Sequence, residues 1–415
     1  MKGLVASFLS KGSLFAFQLL TLMLLSRFVD KQYFGAFAII NSLYFFCIIV
    51  AEAGGMQQVI NAQNSADEKR IIAKSFLTSA LGVAVMLLLL VLLPLLYSID
   101  VSAGAMLLLM SALLFYGVAS SLTGVLYKEL RFYKVAFVEC TAELLSLAAA
   151  FAYGYFYAFD ITVLIIKISG YSYIRFLILW FFFKEHALFG NAIGLIRQKS
   201  SDSSGFSTQV TLSNLLSFFV RFGDNLVIGK LFSLETLSLY DRAYQITKYP
   251  VMLIAFSLQP AIQPLVKKLK SFQELRGFLL KISAIFLVGG FFLVLFIQLN
   301  ARDIIVFIIG EQWVGIENML IILSISIPFQ AMYSVSGGIY YALSHPERNL
   351  KINLMLVVML LASILLGYFA DSFLTSLVLI SASFITVSFI CFFDIWYMER
   401  RMIMPWRANE SPSRS

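Results

Sequence analysis

Long apolar runs separated by short polar connections organise this chain from end to end. Stretches such as Met86–Leu96 and Ile282–Gln298 are rich in Leu, Ile and Phe and show no strict alternation. A lipid-spanning barrel requires short alternating strands. Continuous runs of about 20 predominantly apolar residues predict membrane-spanning helices instead. Twelve such spans are predicted, near 10–29, 34–60, 72–96, 102–126, 134–157, 161–183, 206–232, 237–265, 277–299, 316–343, 350–370 and 373–397. The first run, Gly12–Val29, is too long for a signal-peptide core and lacks a small-residue cleavage site, so it is expected to remain as a span.

The longest polar connection, Lys184–Gly205, divides the spans six and six. The expected organisation is a six-helix bundle over 1–183, a cytoplasmic linker over 184–205, a second six-helix bundle over 206–398 and a cytoplasmic tail over 399–415. The two halves begin alike. Ser26–Phe37 ends the first span and Gly229–Tyr240 ends the seventh. At a constant offset of 203 residues Arg27 meets Lys230, Phe28 meets Leu231, Phe34 meets Leu237 and Phe37 meets Tyr240. Both segments run in the same direction across the bilayer. The fold class predicted is therefore all-α integral membrane, with the two bundles related by a pseudo-two-fold axis along the membrane normal.

Composition agrees with this class: 60% of residues are hydrophobic and 13% charged, with a mean hydropathy of +0.87. A soluble protein carries about 25% charged residues. The basic residues also set an orientation. Of 31 Lys and Arg, twenty-two lie in or beside the two termini and the even-to-odd connections, whereas the opposite loops hold only Arg27, Lys31, Lys230 and Arg302. The positive-inside bias places both termini in the cytoplasm. It also accounts for the net charge of +8 without nucleic acid, because the basic residues are spread over many segments.

The inventory excludes several chemistries. Cys47, Cys140 and Cys391 sit singly in apolar runs with no metal-ligand spacing, and His186 and His345 fall in polar connections. No metal site, no nucleophile–histidine site and no cofactor is expected. No Gly-rich phosphate loop is present. Gly54-Gly55, Gly289-Gly290 and Gly337-Gly338 suit close helix packing or hinging instead. The external connections are too short to hold the catalytic segment of a membrane polymerase or glycosyltransferase. The chain is expected not to be an enzyme.

Charges inside the spans carry the candidate chemistry. An ionised residue at mid-helix costs about 2.5–3.5 kcal/mol on insertion scales, so it faces a cavity or a partner. The set is Glu52, Glu139, Glu143, Lys167, Arg175, Arg221, Asp224 and Lys248. Asn214, Ser217, Arg221 and Asn225 form one polar stripe at i, i+3, i+7 and i+11, with Asp224 beside it. Guanidinium and ammonium groups match a phosphate cargo, so Arg221, Arg175, Lys167 and Lys248, with Asn214 and Asp224, are the candidate substrate-binding residues. Gln18 and Tyr171 are further candidates for carbohydrate. Glu143, Glu139 and Glu52 are the candidates for ion coupling, with Glu143 central. Structural alternatives stand beside these roles. Lys167 lies near a span end and has the reach to snorkel, Arg221 and Asp224 suit an i, i+3 pair, and Glu139 suits pairing with Lys134 or Lys128.

Four segments, in order, resemble the polysaccharide-transporter branch of the multidrug/oligosaccharidyl-lipid/polysaccharide flippase superfamily, the Wzx-type O-antigen flippases. These are Arg27–Phe37, Tyr127–Lys134 (YKELRFYK), Asp224–Lys230 followed by Leu239–Tyr244 (DNLVIGK and LYDRAY), and Ile309–Trp313 (IGEQW). Ser238 departs from the glycine usual in the second copy. The resemblance implies alternating access by two bundles around a central cavity. It also implies an undecaprenyl-pyrophosphate-linked oligosaccharide as cargo, carried from the cytoplasmic to the outer face of a bacterial inner membrane. Membrane lipids, a polysaccharide polymerase and chain-length proteins are the further partners it implies. A multidrug exporter of the same superfamily is the closest rival, with an excess of acidic cavity residues as its signature. An integral-membrane polymerase is a more distant one.

Overall fold

The computed structural model describes residues 2–62, 64–183, 203–269, 271–343 and 345–398. The linker expected at 184–205 lies outside them up to residue 202, and the tail 399–415 lies outside entirely. Every predicted span has a helical counterpart. The first half comprises α1 (Lys2–Phe28), α2 (Lys31–Glu52), α3 (Gly55–Asn61), α4 (Ser65–Tyr97), α5 (Ala103–Lys128), α6 (Phe132–Phe156) and α7 (Ile161–Phe183). The second comprises α8 (Ser203–Leu231), α9 (Leu234–Lys268), α10 (Phe272–Ile308), α11 (Glu317–Ser324), α12 (Ile327–Ala342), α13 (Pro346–Phe369) and α14 (Phe373–Met398), with a 3₁₀ turn over Glu311–Ile316 before α11. Among the described residues there is no strand.

Two predicted spans are broken. The second divides into α2 and α3 where Ala53 and Gly54 both take positive φ, and α11 and α12 meet at a 53° bend. Among the described residues eight helical segments, one of them α2 with α3, are long and apolar enough to cross a membrane, and the bent pair makes a ninth. Thr21 of α1, Asp224 and Asn225 of α8, and Asp241 and Arg242 of α9 are buried inside the protein and not turned to lipid. By contrast α10 presents Ile285, Val288, Phe291, Phe292, Phe296 and Leu299 outward, as a lipid-facing helix must.

The repeat is visible in the backbone. α1 ends at Phe28 and α8 at Leu231, while α2 begins at Lys31 and α9 at Leu234, each pair 203 residues apart. The N-caps correspond too: Asp30 accepts from the Gln32 N–H and Ser233 from the Thr236 N–H, relieving unpaired first-turn donors. Each first helix is anchored in its own half by aromatic contacts, Phe28 on Phe151 and Phe159, and Phe232 on Tyr368 and Phe373.

The halves meet chiefly where α2 packs on α8 and α9. Here the relation becomes self-complementary. A side chain at Gly35 would run into the Leu234 carbonyl, so only glycine fits. Ser238, its counterpart, donates from Oγ to the Lys31 carbonyl at 2.6 Å. Residue 35 touches 234 and residue 238 touches 31, the reciprocity of a two-fold axis. The unusual Ser238 keeps the close approach and adds a hydrogen bond. Further along, Phe45 stacks on Phe222 at 4.8 Å and Phe46 meets Phe218 edge-on at 5.5 Å.

Candidate functional site

Two polar clusters are buried within the helices, one in each half. In the first half Glu143, 2% exposed, sits on α6 with Oε1 2.6 Å from Lys167 Nζ of α7. Thr21 Oγ1 of α1 donates to the same oxygen at 3.1 Å. One turn away on α6, Glu139 lies 3.8 Å from Arg175. Arg175 also donates to Thr123 Oγ1 at 2.9 Å and lies over the rings of Tyr116 and Tyr171. Its Nε is buried without a partner in the protein. Glu52, at the end of α2 beside the break, accepts from Ser120 and is within electrostatic reach of Arg175. Tyr171 feels Arg175, Glu139 and Glu143 together, so these groups form one cluster.

The second cluster lies on α8 and α9. Asp224 is buried, accepting from Tyr240 Oη and from the Asn225 N–H. Asp241 accepts from Arg242 at 2.9 Å and from Gln245 at 2.8 Å. Lys248 lies over the rings of Phe222 and Tyr244. Arg221 is exposed, and Lys248, Tyr244 and Tyr333 are within its electrostatic reach. Those neighbours come from α9 and α12, so Arg221 opens onto the space between helices. Asn214 is half-buried two turns earlier on the same helix.

The geometry decides among the structural alternatives. Lys167 does not snorkel; it pairs with Glu143. Asp224 turns to Tyr240 and not to Arg221. Glu139 approaches Arg175, while Lys128 pairs with Glu68 and Lys134 lies over Phe182. The nine predicted residues thus divide into Glu52, Glu139, Glu143, Lys167 and Arg175 in one cluster and Arg221, Asp224 and Lys248 in the other, with Asn214 apart. Sequence reasoning missed Thr21, Thr123, Tyr116, Tyr240, Asp241 and Arg242. The adjacent charges Asp241-Arg242 in an apolar stretch were a usable signal; a lone threonine or tyrosine in a membrane helix gives none.

One face of the molecule, where α1 turns into α2 and α8 into α9, is closed by contacts between the halves. We call it the hairpin face. Arg242 lies over the Phe34 ring at 4.2 Å and reaches Ser26 Oγ at 3.3 Å. Trp313, wholly buried against Phe34, donates to the Ser26 carbonyl at 2.8 Å. An open surface cleft of about 1190 Å³ beside Arg27, Arg302, Asp303 and Glu311 lies outside this seal, away from both polar clusters.

No curated protein sequence matches the chain. Solved structures match its fold. One described as "Lipid II flippase MurJ, inward closed conformation" shares 13% identity with a TM-score of 0.68, covering 94% of this chain and 86% of that one. An inward-facing multidrug resistance MATE family transporter of the MOP superfamily shares 14% identity with a TM-score of 0.69, covering 96% of each chain. An outward-facing MATE family transporter of the MOP superfamily shares 15% identity with a TM-score of 0.59, covering 97% of each chain. The model of one sequence family, described as polysaccharide biosynthesis protein, matches residues 24–318. That match takes in the charged residues of both polar clusters and the Trp313 turn. The chain therefore belongs to the polysaccharide biosynthesis protein family, as a multi-pass membrane protein with the fold of the MOP-superfamily transporters.

Proposed function

We propose that this protein is a flippase moving an undecaprenyl-pyrophosphate-linked oligosaccharide from the cytoplasmic to the outer leaflet of a bacterial inner membrane by alternating access. The observation that carries the reading is the juxtaposition of Arg221 and Lys248. Two cations lie in each other's field inside a membrane protein, and the carboxylates that also act on Lys248 are each hydrogen-bonded already, Asp224 by Tyr240 and Asp241 by Arg242. The exposed Arg221 leaves its guanidinium open to an anion beside Lys248, and a pyrophosphate supplies one. A multidrug exporter would call for the reverse, carboxylates free to meet an organic cation.

The oligosaccharide would lie toward the first half, where Gln18, Tyr171 and Tyr116 offer amide, hydroxyl and ring partners. Coupling belongs to the same half. Glu143 pairs with Lys167, and Glu139 and Glu52 lie within reach of Arg175. An ionised carboxylate in a low-dielectric interior is costly, and proton binding by one of these three is the coupling step of this reading. Protonation shifts the access equilibrium if the two states bind the proton unequally.

The basic-residue bias supports an arrangement with the hairpin face outward and both termini cytoplasmic. The two bundles would move as units joined by the 184–205 linker, and a polysaccharide polymerase would receive the cargo. Proteoliposomes loaded with fluorescent undecaprenyl-pyrophosphate oligosaccharide test the cargo, with external glycosidase reporting its arrival. Arg221→Ala should abolish transfer at equal protein content. Wild-type liposomes that move ethidium but not the lipid-linked glycan would overturn the reading in favour of the exporter.

A further inference from the structure

An α-helix ends with unpaired carbonyls carrying partial negative charge. The third long helix of each half, α4 and α10, ends on the hairpin face and relieves only part of this deficit locally. After α4, Ser98 takes φ 53° and its N–H returns to the Pro94 carbonyl. After α10, Gly310 takes φ 101°, accessible to glycine at little cost, and its N–H returns to Ile305. Carbonyls of both last turns remain, and each set is taken by a basic side chain from the opposite half. Lys230 Nζ donates to the Leu96 carbonyl at 2.6 Å. Arg27 Nη2 donates to the carbonyls of Val306, at 3.3 Å, and Phe307. Arg27 and Lys230 are equivalent under the 203-residue offset. The same bond is therefore made twice, crossing the molecule in opposite directions.

A second reciprocal pair lies beside the first. Tyr97 Oη at the end of α4 donates to the Leu226 carbonyl of α8 at 3.0 Å. Gln312 and Trp313, just beyond α10, donate to the Ser26 carbonyl of α1. Only four basic residues lie in the predicted loops of this face, Arg27, Lys31, Lys230 and Arg302, and two of them make the latches. Basic residues are disfavoured in outer loops, so their presence there calls for a role.

We infer that Arg27 and Lys230 are matched latches of one gate, closed in this structure, and that both release when the halves part at the hairpin face. Both bonds are solvent-exposed, which suits reversible contacts: strong enough to bias a state, weak enough to break in each cycle. The inference rests on the alternating-access reading but not on the identity of the cargo.

The test is a distance measurement. Spin labels at Asp100→Cys and Glu235→Cys, on opposite halves of the hairpin face, are read by pulsed dipolar spectroscopy in nanodiscs, with the three native cysteines replaced by alanine. Arg27→Gln and Lys230→Gln should each raise the ratio of long to short distances about five-fold, the low end of ordinary coupling energies. The double variant should raise it about 25-fold, since two independent latches multiply. Arg27→Lys and Lys230→Arg should keep the parent distribution. High salt, which screens helix-end charge, should lengthen distances in the labelled parent and not in the double variant. The salt response of the labelled parent is read even where a glutamine variant fails to fold. Distributions indifferent to the glutamine substitutions, or a labelled parent indifferent to salt, would overturn the latch. Loss of glycan transfer by the wild type with the distance shifts intact would remove the cargo and leave the gate.

Discussion

Replacing Lys167 by methionine should strand the Glu143 carboxylate and destabilise the first bundle. In the folded protein that carboxylate has two partners, the Lys167 ammonium at 2.6 Å and the Thr21 hydroxyl at 3.1 Å. The glutamate side chain is 3% exposed and the lysine 15%, so neither ion has water to fall back on. Breaking a buried pair from one side costs about 3–5 kcal/mol, because the remaining charge is uncompensated. Replacing both by neutral residues of similar size is often neutral. Lys167→Met should therefore lose about 3–5 kcal/mol of unfolding free energy, and Lys167→Met/Glu143→Gln should recover most of it. Glu143→Gln alone leaves the more exposed partner stranded and should cost less, about 1–3 kcal/mol. Reversible unfolding in mixed micelles, followed by circular dichroism and arranged as a double-mutant cycle, reads all three values. A Lys167→Met protein within about 1 kcal/mol of wild type, against the 3–5 expected, would refute the buried pair. So would a double variant whose loss equals the sum of the singles.

Gly35→Ala should cost about 1–3 kcal/mol in the same unfolding assay, since the added methyl meets the Leu234 carbonyl at the two-fold contact. Ser238→Ala removes one hydrogen bond and should cost only about 1 kcal/mol. Arg175→Lys keeps the charge but loses the planar group shared among Glu139, Thr123 and two tyrosine rings. Glycan transfer should fall at least about ten-fold, and an undiminished rate would take Arg175 out of the transport site. For orientation, a cysteine at Asp100 should react with an impermeant maleimide added outside spheroplasts and one at Glu347 should not; the reverse pattern would invert the topology.

The twelve spans were legible because lipid leaves the backbone one economical solution, so a long apolar run already implies a helix. The offset of 203 residues was legible for a similar reason. Equivalent helix ends need equivalent caps and equivalent apolar anchors, and Asp30/Ser233 and Phe34/Leu237 supply them. Partner choice was not legible. Lys167 and Glu143 are 24 residues apart, and Lys128 and Glu68 are 60 apart; nothing local selects those pairs over Lys167 with solvent or Lys128 with Glu139. Helix packing makes the selection, by bringing α7 against α6 and α5 against α3 and α4. The break at Ala53–Gly54 falls at a double glycine already read as a packing or hinge point, whereas the break before Ile327 was hidden, because each half of a broken apolar span still reads as apolar. A polar residue on α1, α8 or α9 signals burial only once it is known which helices surround the centre.

The two halves share a backbone but not a chemistry, and this difference bears most on function. Under the same offset Arg221 corresponds to Gln18, Asp224 to Thr21, Lys248 to Phe45, and the Asp241-Arg242 pair to Ala38-Ile39. Each replacement puts a charge in the second half where the first carries a neutral amide, a hydroxyl or an apolar side chain. In compensation the first half draws its charges from its later helices, α6 and α7, and pairs them internally through Lys167–Glu143 and Arg175–Glu139. A symmetric cargo would give two equivalent half-sites little reason to diverge. A cargo with an anionic end and a neutral, hydroxyl-rich end matches this division, with cations on α8 and α9 and hydrogen-bonding groups on α1 and α7. The matched elements, Arg27 with Lys230 and Gly35 with Ser238, lie on the hairpin face, where Arg242 over Phe34 is the unmatched addition. A closing movement requires the halves to fit each other there, whereas the substrate requires them to differ deeper in. Matched latches and a matched helix contact at the rim, with Arg221 and Lys248 corresponding to Gln18 and Phe45 deeper in, are what a carrier of a two-ended molecule needs, and that conjunction supports a lipid-linked glycan over a small organic cation.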